Sequence, residues 1–360
     1  MIVFDEAAKD GHEQILFGHD PVSGLRTIIA IHSTALGPAI GGTRFFPYPS
    51  EDEALSDVLR LSKGMTYKAA AAGLDLGGGK AVIIGDPHQD KSERLLRAYG
   101  RIVDSLQGRY ITAEDVGTTT QDMDMIRRET RWVLGNSAVM GGSGDPSPVT
   151  ARGLYAATRA VADKVWGSPD LADRTFAVQG VGKVGSAYVQ LLIEARADVV
   201  IADSFPPAIT KAVEKYGVRS VPLDEIHKVE CDIFSPCALG GILNEETIPE
   251  LNCAAVVGSA NNQLATEKDA QLIADRGILY APDFVVNAGG LINVYDQLNG
   301  YSKTRALHLV DSIFEATKRI LNTAERDGIT PNQAAEQIAE QRIREIGDLR
   351  RFRRSGDDRA

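Results

Sequence analysis

The sequence has few cysteines and no long apolar run. Its 360 residues include only Cys231, Cys237 and Cys253, an odd number without paired spacing. This set predicts neither a disulfide framework nor a zinc site, because no histidine stands at the spacing that zinc ligands share. No apolar run approaches the roughly 20 residues that a membrane-spanning helix needs. We therefore expect reduced thiols, no bound metal and no membrane insertion.

Positive charge is also in short supply. Lys and Arg total 39 against 49 Asp and Glu, which gives a net charge of −10. This balance argues against a nucleic-acid binder, which normally presents a basic surface. The acidic start at residues 1–10 lacks the features of a signal peptide, so we expect a cytoplasmic protein. The chain is long enough for two domains, each with its own core.

Two lysines beside glycine-rich backbone form the most distinctive stretch. Lys68 ends the segment GMTYK, and Lys80 ends GGGK directly ahead of an apolar run that predicts a strand. Three consecutive glycines usually answer a backbone requirement, such as an unusual φ or a ligand against the main chain. Burial and a second ammonium nearby both lower the pKa of a lysine toward the range of a general base. A turn with two surface lysines is an equally good interpretation of these residues alone.

The first 140 residues predict a mixed α/β unit. Strands are expected at 13–17 and 25–32, a glycine-rich loop at 37–44, a helix that Ser50 and Glu53 cap and Gly64 closes, and a second helix from about residue 91. A strand near residue 110 then ends in Glu114 and Asp115. Strand ends of α/β sheets commonly present ligand groups, although either acid could instead cap the turn that follows.

A dinucleotide-binding pattern follows a predicted hinge at residues 141–148. Strand 175–179 leads into GVGKVG at 180–185, then a helix, then a second strand at 198–202. Asp203 follows that strand, 23 residues beyond the first glycine. This spacing matches the dinucleotide fingerprint, in which the pyrophosphate rests on the helix N-terminus. Asp203 can accept hydrogen bonds from both ribose hydroxyls of NAD and would repel the 2′-phosphate of NADP. The alternative is a glycine-rich turn with an unrelated acid.

Three further strand-then-loop units follow, and each ends in small or amide residues. They cover residues 231–241, 254–262 and 278–290, as expected at the carboxyl edge of a parallel sheet. One amphipathic helix is predicted from 307 to 324, with Gly328 closing it. Thr330 and Gln333 then cap a last helix that reaches about residue 346.

Six motifs together resemble those of the amino-acid dehydrogenase family, and most closely its leucine, valine and phenylalanine branch. They lie at residues 41–44, 64–68, 77–80, 111–117, 180–182 and 287–290. The resemblance implies NAD-dependent oxidative deamination of an L-amino acid to its 2-oxo acid with release of ammonium, and the reverse reaction. It also implies a homo-oligomer that acts on small molecules.

The same resemblance implies an α/β fold of two domains with a cleft. The N-terminal mixed α/β substrate domain would comprise residues 1–143, joined by the returning C-terminal helix at 329–360. Residues 144–328 would form a Rossmann domain with a doubly wound parallel sheet that binds NAD.

The resemblance to this family also implies roles for individual residues of this sequence. Lys68 would hold the substrate carboxylate, Lys80 would activate water for attack on the imine, and Asp115 would move protons to and from the substrate nitrogen. The other substrate-binding positions are Ile40, Gly41, Gly42, Met65, Gly78, Ala113, Asn262, Leu291 and Val294. The cofactor-binding positions are Thr150, Gly180, Gly182, Lys183, Val184, Gly185, Asp203, Cys237, Ala238, Leu239, Ala260, Asn261 and Asn287.

The pocket positions indicate an apolar substrate. Ile40, Ala113, Leu291 and Val294 would desolvate a charged side chain without a partner. Ala113 resembles members specific for aliphatic substrates, whereas Leu291 resembles the phenylalanine enzymes. Because a methyl group at a strand end cannot rotate away while a leucine can change rotamer, we expect leucine, valine and isoleucine to be preferred.

Three alternatives remain. One is a phenylalanine or other aromatic amino-acid dehydrogenase. Another is a glutamate dehydrogenase, although that branch has a lysine where Ile40 stands. The third is an NAD-binding sensor without turnover, against which the lysine pair and Asp115 argue.

Overall fold

The computed structural model describes residues 3–238 and 240–349. The chain divides into two compact units. The first comprises Met1–Gly144, Gln297–Tyr301 and Ile338–Ala360, and the second comprises Asp145–Asp296 and Ser302–Gln337. Residues 350–360 of the predicted returning segment lie outside the described part of the chain.

The first unit is built on a mixed five-stranded sheet. Its elements are α1 (Val3–Asp10), β1 (Gln14–Asp20), β2 (Leu25–Ser33), β3 (Ala39–Phe46), α2 (Glu51–Ala71), β4 (Gly77–Ile84), α3 (Glu93–Ser105), β5 (Tyr110–Glu114) and α4 (Thr120–Ile126). The strand order is β1-β2-β4-β3-β5. β2 is antiparallel to both β1 and β4, whereas β3 runs parallel to β4 and β5.

Alternation along the strands gives this sheet two apolar faces. On one face, Ile28 and Val82 pack with Leu55 and Val58 of α2. On the opposite face, alternate strand residues such as Ala81 pack against α3 and α4 in the larger core. Each face is therefore covered by helices, and position along a strand decides which face a side chain joins.

The three consecutive glycines answer a packing requirement and not an unusual φ. They begin β4 in extended conformation, and a Cβ on Gly78 would stand 2.1 Å from the backbone nitrogen of Thr66 on α2. A Cβ on Gly79 would stand 2.7 Å from the ring of Tyr110. Glycine within a strand commonly marks such a close approach. Gly78 thus allows α2 to lie directly on the sheet, and Gly79 leaves room for the Tyr110 ring on the other face.

Two predicted boundaries in this unit are wrong. The expected loop at 37–44 is mostly the interior strand β3, where a Cβ on Gly41 would stand 1.7 Å from the carbonyl oxygen of Gly79. Ser50 caps α2 as predicted, but the helix continues through Gly64 to Ala71. Burial of Thr66 and Ala69–Ala71 outweighs the roughly 1 kcal/mol that a helical glycine costs.

The second unit contains a six-stranded, wholly parallel sheet. Its elements are α5 (Ser147–Trp166), β6 (Thr175–Gln179), α6 (Lys183–Glu194), β7 (Asp198–Ala202), α7 (Pro206–Tyr216), β8 (Arg219–Ser220), β9 (Ile233–Pro236), β10 (Ala255–Val256), α8 (Asp269–Asp275), β11 (Leu279–Tyr280), α9 (Asp283–Val286), α10 (Gly289–Tyr295), α11 (Lys303–Asp311) and α12 (Ile313–Asp327). The order β11-β10-β9-β6-β7-β8 is that of the doubly wound dinucleotide-binding fold. The predicted α/β class, with a mixed N-terminal sheet and a C-terminal Rossmann sheet, is confirmed.

The predicted single helix at 307–324 is wrong, because it is two helices that meet at Ser312. The Ser312 hydroxyl donates to the carbonyl of Leu309 at 2.6 Å. Serine side chains compete with the backbone in this way and often mark a bend. Gly328 ends α12 in the left-handed conformation, as expected of a C-terminal glycine.

The last helix, α13 (Pro331–Leu349), begins with the predicted capping box. The Thr330 hydroxyl accepts from the Gln333 amide, and the Gln333 side chain accepts from the Thr330 amide. Its C-terminal part belongs to the first unit, where Arg342 donates to Asp75 at 2.6 Å. Within the described ranges, no helix is both long and apolar enough to cross a membrane.

Candidate active site

Three neighbouring strands bring predicted site residues to one face of the first sheet. β3 aligns Ile40 with Gly78 on β4, and it aligns Gly42 with Ala113 on β5. Because side chains alternate, these positions share their face with Lys80 and Asp115, and α2 covers that face. Strand register therefore assembles residues that are far apart in sequence.

Lys80 and Asp115 form the charged centre of this face. The Lys80 Nζ lies 2.6 Å from Asp115 Oδ2, and Lys80 is only 6% exposed. Burial lowers the pKa of Lys80, although the Asp115 carboxylate opposes that effect. Burial would raise the pKa of Asp115, but the charges of Lys80 and then Arg44 hold it below its ordinary value. The result is a buried amine with reduced basicity beside a carboxylate that remains ionised.

Arg44 is a member of this centre to which the sequence analysis gave no role. Its Nε lies 3.2 Å from the same Asp115 oxygen that contacts Lys80. The sequence did contain one indication of this contact. Arg44 stands two residues after Gly42, so in a strand both would lie on the same face of the sheet. The motif at 41–44 contained the residue, but only the register of β3 against β5 shows what it contacts.

The helix that carries Lys68 and Met65 is fixed by its neighbour Thr66. Thr66 lies against Gly78, and its hydroxyl is 2.8 Å from His32 Nδ1. Lys68 and Met65 are both half-buried on α2. The turn that bears them is thus held against the strand that bears Lys80.

The glycine-rich loop of the second unit has the features of a dinucleotide cradle. Gly180 has a φ of +98°, and a Cβ on Gly185 would stand 2.0 Å from the Gly180 carbonyl oxygen. A Cβ on Gly182, in contrast, has no heavy atom of the described residues within 4 Å. The first glycine permits the turn, the third permits close helix packing, and the second leaves space at the N-terminus of α6, which begins with Lys183 and Val184. These residues fit a dinucleotide pyrophosphate.

Asp203 follows β7 and contacts the same loop. One of its carboxylate oxygens accepts from the Val181 amide at 2.7 Å, and the other accepts from the Phe205 amide at 2.9 Å. The acid is therefore held at the edge of the glycine-rich loop, where the fingerprint requires a ribose partner.

The remaining cofactor positions lie at the carboxyl ends of neighbouring strands. Ala238 follows β9, and its nitrogen is 2.9 Å from where a Cβ on Gly180 would stand. Asn287 donates to Asn261 at 2.8 Å and to the Ser259 carbonyl at 3.2 Å. Also in these loops are Cys237, Ala260 and Asn262, and burial raises the pKa of the Cys237 thiol. Leu239 lies outside the described residues.

The start of α5 and α10 forms another part of the second unit. A Cβ on Gly289 would stand 2.9 Å from Thr150 Cα, so the two helices are in close contact. The Thr150 hydroxyl donates to the Pro146 carbonyl at 3.1 Å. Leu291 and Val294 are half-buried on α10, whereas Ile40, Gly41 and Ala113 belong to the first unit. The structure thus places the proposed pocket residues on two separate units.

Two family models match nearly the whole chain. The model described as Glu/Leu/Phe/Val dehydrogenase, dimerisation domain, matches residues 12–132, and the model described as Glutamate/Leucine/Phenylalanine/Valine dehydrogenase matches residues 141–206 and 207–350. A leucine dehydrogenase from Bacillus cereus is 50% identical over 357 residues, which is 99% of this chain and 98% of that protein. A valine dehydrogenase from Streptomyces coelicolor is 53% identical over 94% of this chain and 93% of its own length.

A solved structure agrees with these relatives. The L-tryptophan dehydrogenase from Nostoc punctiforme superposes with a TM-score of 0.87 at 44% identity, covering 96% of this chain and 99% of that one. The resemblance predicted from the six motifs is confirmed, and the chain belongs to the glutamate, leucine, phenylalanine and valine dehydrogenase family.

Proposed function

We propose that this protein catalyses the NAD-dependent oxidative deamination of apolar L-amino acids, with leucine, valine and isoleucine preferred, and the reverse reductive amination. The leucine and valine dehydrogenases among its relatives support this reaction class. The observation that carries the proposal is the buried contact of 2.6 Å between Lys80 and Asp115. A buried amine beside an ionised acid suits proton transfer near neutral pH.

In this proposal Lys68 binds the substrate carboxylate as a point charge. Lys80, whose pKa burial lowers, takes a proton from the water that attacks the imine carbon. Asp115 lies within hydrogen-bond distance of Lys80 and moves protons to and from the substrate nitrogen. The three side chains would therefore divide carboxylate binding, water activation and proton movement.

The cofactor in this proposal is NAD, held by the glycine-rich loop and Asp203. When bound, it accepts the hydride that leaves the substrate Cα. Asp203, which accepts from the Val181 amide, would accept from the ribose hydroxyls, and the loop amides at the start of α6 would bind the pyrophosphate. NADP would be the poorer cofactor, because SFPP follows Asp203 and supplies no arginine for a 2′-phosphate. Thr150 and Asn287 would orient the nicotinamide carboxamide.

Substrate preference is the finer part of the proposal. Ile40 is 1% exposed and Ala113 is half-buried, so neither offers a partner for a charged substrate group. An aromatic preference is the second candidate, because the L-tryptophan dehydrogenase is a close structural match and Leu291 is large. Apolar pockets discriminate by only about 1–3 kcal/mol per methylene, so several aliphatic substrates should react.

One assay tests the function and the preference together. The purified protein is given NAD and a panel of L-amino acids, and kcat/KM is compared from the rise in NADH absorbance. We expect leucine, valine and isoleucine to exceed phenylalanine, tryptophan and glutamate. Faster turnover of phenylalanine or tryptophan than of leucine would favour the aromatic candidate, and no turnover of any amino acid would contradict the function.

We also propose a cytoplasmic homo-oligomer with a substrate domain at 1–143 and 329–360 and an NAD domain at 144–328. The dimerisation-domain model over residues 12–132 supports self-association. Each of the three cysteines is a free thiol, which suits a reducing compartment. Light scattering of the eluted protein would measure the oligomeric mass, and a monomer would contradict the first part.

A further inference from the structure

We propose that Arg44 is a positioning residue for the proton-transferring carboxylate, and that it holds Asp115 in the orientation that contacts Lys80. The inference rests on the proposed function for its catalytic meaning. Its geometric basis is that one oxygen, Asp115 Oδ2, accepts from Lys80 Nζ at 2.6 Å and from Arg44 Nε at 3.2 Å. Two cations on adjacent strands thus converge on a single carboxylate oxygen.

Arg44 is itself held from its other end. Its Nη1 donates to Asp57 Oδ2 on α2 at 2.8 Å. The same Asp57 oxygen accepts from the Tyr48 hydroxyl at 2.6 Å, and the other Asp57 oxygen accepts from Arg60 at 2.8 Å. A planar guanidinium can span two carboxylates in this way, whereas a lysine ammonium on a flexible stem cannot fix both. Arg44 therefore connects α2 rigidly to the acid beyond β5.

Asp115 needs such an external support because it lies just after the end of an edge strand. Its backbone amide donates to the Thr118 hydroxyl at 2.9 Å, which fixes the main chain of the turn but not the carboxylate. Gly42 leaves the space that the carboxylate uses, since a Cβ there would stand 2.8 Å from Asp115 Cβ. With the space open and the main chain fixed, Arg44 and Lys80 determine where the carboxylate points.

The electrostatics of the site agree with this geometry. Two charged groups act on the Lys80–Asp115 pair: Arg44 from β3 contacts Asp115, and Asp57 from α2 acts on Lys80 through its charge. Tyr48, beyond β3, donates to Asp57 and not to the pair itself. Burial is the main cause that lowers the pKa of Lys80, and the charge of Arg44 adds to it. The charge of Arg44 also lowers the pKa of Asp115, after that of Lys80. Loss of Arg44 should therefore raise both pKa values.

The first test replaces Arg44→Gln and uses Arg60→Gln as the matched control, because Arg60 contacts Asp57 but is 60% exposed and belongs to no step of the reaction. We expect Arg44→Gln to lower kcat by about 10²-fold with KM for the amino acid nearly unchanged, since misplaced catalytic groups cost this much. The limb of the pH profile that reports Lys80 should move to higher pH. Arg60→Gln should keep the wild-type kcat and profile.

A second measurement does not depend on turnover. Competitive acetylation with trace acetic anhydride, read by mass spectrometry across pH, gives the pKa of Lys80 in each variant. We expect a higher pKa in Arg44→Gln and no change in Arg60→Gln. If the wild type proves to lack dehydrogenase activity, the proposed function fails, and this measurement alone still decides whether Arg44 acts on the pair.

Chemical rescue separates positioning from a merely structural role. A cavity of about 740 Å³ borders Arg44, Tyr48, Asp57, Arg60 and Val116, so the space vacated in Arg44→Ala can be reached by a small cation. Guanidinium at a millimolar, non-denaturing concentration should restore part of the lost kcat, and tetramethylammonium should not. Arg44→Lys keeps the charge without the fork and should remain impaired.

The inference is overturned by any of three results. These are a wild-type kcat in Arg44→Gln with an unchanged pKa of Lys80, full activity of Arg44→Lys, and rescue of Arg44→Ala by both cations alike. Circular dichroism checks the fold of each variant, and Arg44→Lys remains the deciding variant if Arg44→Gln fails to fold.

Discussion

The chain contains two glycine-rich segments that each precede or contain a lysine, and they use glycine for opposite purposes. In the first unit, the glycines before Lys80 are extended and closely packed, with Gly78 against α2, and Lys80 is 6% exposed. In the second unit, Gly180 is left-handed, Gly182 borders open space, and the Lys183 side chain is 80% exposed. Glycine next to lysine therefore has no single meaning. In one place it buries the amine, and in the other it leaves room for a ligand.

Replacing Lys80 should have the largest effect, because it removes the buried amine of the first segment and leaves the second segment unchanged. Lys80→Ala should lower kcat by about 10²–10⁴-fold, the range of a general base, while NADH binding in the other glycine-rich segment stays intact. Steady-state kinetics measure the first effect, and NADH fluorescence titration measures the second. More than about a tenth of wild-type kcat would mean that Lys80 is not the base.

Gly78 tests whether the first segment is built for packing. A Cβ there would stand 2.1 Å from the Thr66 nitrogen, so Gly78→Ala should destabilise the protein by about 1–3 kcal/mol, the usual cost of overpacking. Gly64→Ala is the matched control, since its Cβ would meet no described heavy atom within 4 Å and alanine favours a helix. Urea unfolding midpoints compare the two. An equal or higher midpoint for Gly78→Ala would contradict the packing role.

His32 packs against the same turn of α2, through Thr66, and makes the stability of this region depend on pH. Its Nε2–H donates to the Asp10 carbonyl at 3.0 Å, and its Nδ1 lies 2.8 Å from the Thr66 hydroxyl, from which Nδ1 accepts when the ring is neutral. Burial, with the nearby His12 charge, lowers its pKa from 6.5 to about 4. The unfolded chain thus binds the proton first as pH falls, and stability is full above about 6.5 and decreases toward about 4.

By linkage, the titration of His32 should lower the free energy of unfolding by about 2 kcal/mol as the pH falls from about 7 to about 5. Unfolding midpoints of the wild type and His32→Gln at both pH values measure this effect. The wild type should lose more stability than the variant over that interval. Equal losses would mean that His32 titrates normally.

How far the sequence predicted the structure also differs between the two units. Strands β6 and β7 were predicted to the residue, because each is an apolar run bounded by turn residues. β3 was missed because its glycines resemble a loop, and only the two neighbouring strands stabilise it as a strand. The roles of Lys80 and Asp115 followed from resemblance, but their contact depends on a register that sequence patterns do not contain. Arg44 had no assigned role for the same reason.

Replacing Gly182 should have the smallest effect, and it tests whether the second glycine-rich segment serves ligand binding and not packing. Its φ of −65° is accessible to alanine, and its Cβ would meet no heavy atom of the described chain within 4 Å. Gly182→Ala should therefore leave the urea midpoint nearly unchanged, unlike Gly78→Ala. The added methyl group would occupy the space at the N-terminus of α6 where the pyrophosphate must approach the backbone. We expect the Kd for NADH to rise about tenfold, or about 1.4 kcal/mol, while KM for the amino acid changes little. A lower midpoint with unchanged NADH affinity would show that both glycine-rich segments serve packing, and the distinction between them would be lost.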